Sequence, residues 1–62
     1  MSIVDRALAF AQQTVDSVVA FAGETAATAD QVAKAAGAYV TEVTGDAELG
    51  AKVTQEIYDR ML

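Results

Sequence analysis

Apolar side chains recur along the first third of the chain at Val4, Leu8, Ala11, Val15, Val18 and Ala22, in alternating steps of four and three. That spacing returns to one side of a helix every two turns and predicts an amphipathic helix over about 3–22. A second line, Ile3, Ala7, Phe10, Thr14, Ser17 and Phe21, runs beside the first. The apolar face is therefore wider than a two-stranded coiled coil requires, and it suits a helix with two neighbours. Ser2 followed by Asp5 is close to a capping box and places the start of the helix.

The middle of the chain is alanine-rich. Thr28-Ala29-Asp30-Gln31 is a capping box and predicts a second helix over about 28–43. Ala29, Ala33 and Gly37 stand four apart, so one face of this helix lacks bulk and lets another helix backbone approach closely. Bulky residues such as Phe10 or Phe21 are the expected counterpart. The adjacent face carries Val32, Ala36, Tyr39, Val40 and Val43 as a core stripe. Two readings of the junction remain open. The chain turns between Gly23 and Thr28, or residues 3–43 form one helix, because Thr25, Ala29, Val32, Ala36, Tyr39 and Val43 continue the first seam in phase. A single Gly within a helix costs only about 1 kcal/mol.

Thr44-Gly45-Asp46 is a clearer break: Gly45 can end a helix in the left-handed conformation and Asp46 can cap the next. A last helix over about 47–61 would bury Leu49, Val53, Ile57 and Met61 at four-residue spacing. Glu48 and Lys52 form a favourably oriented pair one turn apart, and Gly50 weakens the start of the helix. No segment alternates as a strand does. The expected fold is all-α, two or three helices in a single domain, a helical hairpin or bundle completed by oligomerisation.

Size sharpens that expectation. A chain of 62 residues buries only about 60% of its unfolded surface, so an independent core is marginal. The usual remedies are disulfides, metals or association. Cys and His are both absent, which removes a disulfide framework and the common zinc and haem sites. No cofactor is expected. Nine carboxylates against four basic residues leave a net charge of −5, which argues against nucleic acid and against anionic membrane surfaces. Gln12, Gln13, Asp16 and Ser17 interrupt the apolar N-terminal stretch, so it reads neither as a signal peptide nor as a membrane span. A cytoplasmic chain is expected.

Chemical motifs add little. Asp16-Ser17-Val18 resembles the Asp-Ser-hydrophobic attachment site of acyl carrier proteins, but Ser17 falls in mid-helix and no glycine precedes the Asp. Thr44-Gly45-Asp46-Ala47-Glu48-Leu49 resembles the core motif of CsbD-like bacterial stress proteins, which are far more hydrophilic than the helices flanking it here. Glu48, Glu56 and Asp59 share one helix without a cleft to perturb a carboxylate, so a solvated face is the reading and no enzyme is expected. What remains is an interaction protein. The partner is itself, as a homo-oligomeric bundle or filament, or a larger protein complex for which this chain is a small accessory subunit. The candidate interface comprises Val4, Leu8, Phe10, Ala11, Val15, Val18, Phe21, Ala29, Ala33, Gly37, Tyr39, Val43, Val53, Ile57 and Tyr58, the last as an aromatic anchor.

Overall fold

The computed structural model describes residues 2–62. Three helices follow one another, α1 (Ile3–Thr25), α2 (Ala29–Thr44) and α3 (Ala47–Met61), and no strand occurs among the described residues. The chain is all-α.

Each helix starts where a side chain can satisfy backbone donors that have no intrahelical partner. The Ser2 hydroxyl accepts from the Asp5 amide at 3.1 Å. At α2 both halves of the capping box form: Gln31 N–H donates to the Thr28 hydroxyl, and Thr28 N–H donates to the Gln31 side chain, each at 3.3 Å. The Asp46 carboxylate accepts from the Glu48 and Leu49 amides at 3.0 and 3.1 Å. Gly45 closes α2 with φ of 71° and donates its N–H to the Thr41 carbonyl at 2.8 Å.

The first junction is a turn, so residues 3–43 are not one helix. The turn lies later than Gly23, which stays inside α1. Ala26 takes the left-handed conformation, with φ of 57°, and the chain reverses through Ala26, Ala27 and Thr28. A lone Gly breaks little by itself, whereas the Thr28–Gln31 box stabilises a helix start at that point.

The helices alternate in direction. Tyr58 meets Asp30 and Thr54 meets Ala33, so α2 and α3 are antiparallel. Phe10 packs on Tyr39 while Phe21 and Val32 line the same groove, so α1 and α2 are antiparallel as well. Arg60 pairs with Asp16, and Leu49 faces Leu8 across a small cleft, which leaves α1 and α3 parallel.

The core is narrow. Its buried members are Ala11, Val15, Ala22, Ala33, Ala36, Val40, Leu49, Val53 and Ile57. Phe10, Val18, Val19, Val32, Tyr58 and Met61 pack on it half-buried. At about 1.5 Å per residue α1 is roughly 34 Å long, matching the 35 Å length of the molecule. The shorter α2 and α3 do not cover its first turns. Val4 and Leu8 lie on the core seam yet stay 66% and 48% exposed.

Candidate interaction surface

The small residues of α2 do admit a close neighbour, but the neighbour is α3. A methyl group placed on Gly37 would lie 2.9 Å from the Gly50 carbonyl oxygen, and one placed on Gly50 would lie 2.6 Å from the Gly37 carbonyl oxygen. The two backbones thus touch where the helices cross. The Thr41 and Thr54 hydroxyls donate to the Gly37 and Gly50 carbonyls of their own helices at 2.9 and 3.1 Å, and Thr54 also reaches the Ala33 carbonyl at 3.3 Å. Phe10 and Phe21 are not the counterpart of this face, and Gly50 is a required contact rather than a mere weak point of α3. A sequence signal for the crossing exists. Gly37-Ala38-Tyr39-Val40-Thr41 and Gly50-Ala51-Lys52-Val53-Thr54 differ only at their third residue. In both segments the Gly meets the opposite helix, the Thr sits one turn later, and the Val is buried. A local two-fold relation between α2 and α3 is therefore written as a short repeat.

Tyr58 serves the same pair of helices. Its hydroxyl donates to the Asp30 carboxylate, and Lys34 lies 3.5 Å from that carboxylate one turn on. The Tyr58 hydrogen bond, aided by the Lys34 charge, lowers the Asp30 pKa below its ordinary value. The same bond raises the Tyr58 pKa. The ion pairs formed among the described residues are Lys34–Asp30 and Arg60–Asp16; Glu48–Lys52 is not one of them.

The other side of α2 looks onto a groove of about 540 Å³ between α1 and α2, lined by Phe10, Gln13, Thr14, Ser17, Val18, Phe21, Val32, Ala35, Ala36 and Tyr39. None of these side chains is charged. The second apolar line of α1 forms one wall. Its two rings occupy opposite ends: Phe10 leans on Tyr39, with ring centroids 5.9 Å apart at 48°, while Phe21 stands 58% exposed. Tyr39 is 52% exposed, and Val43, one turn further along α2, is exposed too.

The sequence-derived interface residues divide accordingly. Ala11, Val15, Ala33, Gly37, Val53 and Ile57 are buried inside the bundle, with Val18, Ala29 and Tyr58 half-buried. Phe10, Phe21 and Tyr39 frame the groove, Val43 continues it, and Val4 and Leu8 lie on the uncovered start of α1. Among the described residues no group of three or more carboxylates gathers in a metal-binding arrangement, and no helix is long and apolar enough to cross a membrane. Comparison with protein-family models, with curated proteins and with solved structures found no match to this chain.

Proposed function

We propose that this chain is a non-enzymatic structural protein that assembles with itself through the α1–α2 face. The observation that carries the reading is the uncharged groove, whose aromatic rim stays in water although the core beneath it is thin. Five of the nine core residues exceed alanine in size, while Phe21, Tyr39 and Val43 remain outside. Association would move these rings out of water and add the burial that a chain of this length lacks. A filament would need the long apolar flanks of a continuous helix over 3–43; the turn at Ala26–Thr28 favours a closed assembly of short bundles instead.

The amount at stake can be worked from Phe21. An aromatic side chain carries about 200 Å², so 58% exposure leaves roughly 110 Å². At ~25 cal/mol/Å² its burial contributes about 3 kcal/mol, about a hundredfold in dissociation constant. Light scattering after gel filtration tests the proposal with Phe21→Asp. The wild-type chain is expected to elute as a discrete oligomer, and the variant as a helical monomer. A wild-type chain that is folded and monomeric at high concentration would refute self-assembly and direct the same face to a different protein.

A further inference from the structure

We infer that a second copy of this chain occupies the groove, with the two α1 helices antiparallel about a two-fold axis that passes between Gln13 and Ser17, level with residue 15, so that Arg6 of each copy pairs with Glu24 of the other. The inference rests on the self-assembly reading and specifies its geometry.

Arg6 and Glu24 are the charged residues of α1 on the flank that carries Phe10 and Phe21. They stand eighteen residues apart, five full turns at 3.6 residues per turn, and therefore point the same way. Roughly 27 Å of helix separates them, so they cannot meet within one chain. Both are exposed, and neither belongs to the ion pairs formed among the described residues. The remaining acidic residues of α1 lie off this flank: Asp16 pairs with Arg60, and Asp5 stands in the first turn, where a carboxylate suits the helix N-terminus.

A two-fold rotation that reverses α1 about residue 15 superimposes opposites along this flank. Arg6 falls on Glu24, Gln13 on Ser17, and Phe10 within one residue of Phe21. Each Phe21 ring would then land on the Phe10–Tyr39 pair of the other copy, filling the end of the groove that has two rings with the ring that stands alone. The contact is isologous and closes with two copies. Its size is adequate only if the whole face is used. The long face measures 35 by 19 Å, roughly 670 Å² in projection, against ~800 Å² of accessible surface per partner in a standard interface. A net charge of −5 per copy disfavours pairing through most other faces, whereas this one presents no charge in the groove and one basic and one acidic residue on its α1 rim, with the exposed Glu42 on the α2 rim.

Sedimentation equilibrium at low salt tests the arrangement with Arg6→Glu, Glu24→Arg, their equimolar mixture and the double variant R6E/E24R. Each single reversal is expected to weaken association about tenfold, since two pairs turn repulsive in every dimer. The mixture and the double variant should return to within about twofold of wild type, because both restore opposite charges across the two-fold axis. Arg6→Gln and Glu24→Gln carry the same test at smaller amplitude. If wild type dimerises and the reversals change nothing, or weaken it without rescue, the antiparallel α1 pairing is wrong while self-assembly stands. A monomeric wild type overturns both.

Discussion

Gly50 and Gly23 are both helical glycines, and replacing each with alanine should move stability in opposite directions. In an unobstructed helix interior the change Gly→Ala gains up to about 1 kcal/mol. Gly23 meets that condition, since a methyl group there has nothing within 4 Å. Gly50 does not. Its new methyl would lie 1.8 Å from the Thr41 hydroxyl and 2.6 Å from the Gly37 carbonyl oxygen. The hydroxyl can rotate aside at the loss of its 2.9 Å bond to the Gly37 carbonyl. The carbonyl is backbone, so relief requires α2 and α3 to part by about half an ångström or more. A gap of that size forfeits a quarter to a half of the dispersion energy of the atoms it separates, and here those include the fully buried Val40 and Val53. Overpacking of this kind costs about 1–3 kcal/mol, which exceeds the propensity gain. Gly50→Ala should therefore lower stability by up to about 2 kcal/mol once the propensity gain is subtracted, and Gly23→Ala should raise it by about 0.5–1 kcal/mol. At ~4–8 °C per kcal/mol for a domain near this size, circular dichroism melts at one fixed concentration resolve the two. Adding Thr41→Ala to Gly50→Ala should recover only part of the loss, because the carbonyl contact remains. A Gly50→Ala chain that melts as high as Gly23→Ala would refute the close crossing.

Two further perturbations follow from the turn and from the Tyr58–Asp30 bond. Ala26→Gly removes a side chain from the left-handed conformation, which costs L residues about 1–2 kcal/mol, and part of that gain survives the added freedom of the unfolded chain; the melting temperature should rise by a few degrees, and a fall would mean that the α1 cap is not left-handed. The stabilisation lost in Tyr58→Phe should depend on pH at both ends. Asp30 is more acidic in the fold than its ordinary 3.8, so its contribution is present above that value and fades as pH falls through and below it. Tyr58 is less acidic than its ordinary 10.0, so its contribution is present below that value and fades as pH rises beyond it. The difference in melting temperature between wild type and Tyr58→Phe should be flat near neutrality and shrink at both extremes; a difference that ignores pH would remove the Asp30–Tyr58 bond from the account.

Much of the fold was legible because its signals are local. Ser2, Thr28 with Gln31, Gly45 and Asp46 act on backbone groups within four residues, so adjacent letters suffice to place them. The seam of α1 was legible for the same reason at Ala11, Val15 and Ala22. It misled at Val4 and Leu8, because periodicity does not report that the partner helices are shorter. The turn between Gly23 and Thr28 is the right one of the two open readings; it falls at Ala26, beside the strong Thr28 cap, because a helix tolerates the one glycine. The small-residue face of α2 predicted close approach but not its counterpart. That depends on which two helices meet, and only the matching Gly and Thr of 37–41 and 50–54 encode it. The groove was half legible: the second apolar line of α1 implied two neighbours, and within one copy α2 is the neighbour that leaves its outer edge in water.

Concentration-dependent melting joined to sedimentation equilibrium decides whether another copy covers the α1–α2 face. A homodimer is stabilised by mass action, so the melting temperature should rise steadily with concentration while the mass approaches twice that of the 6.4 kDa chain. A melting temperature independent of concentration, with a mass of one chain throughout, would contradict it.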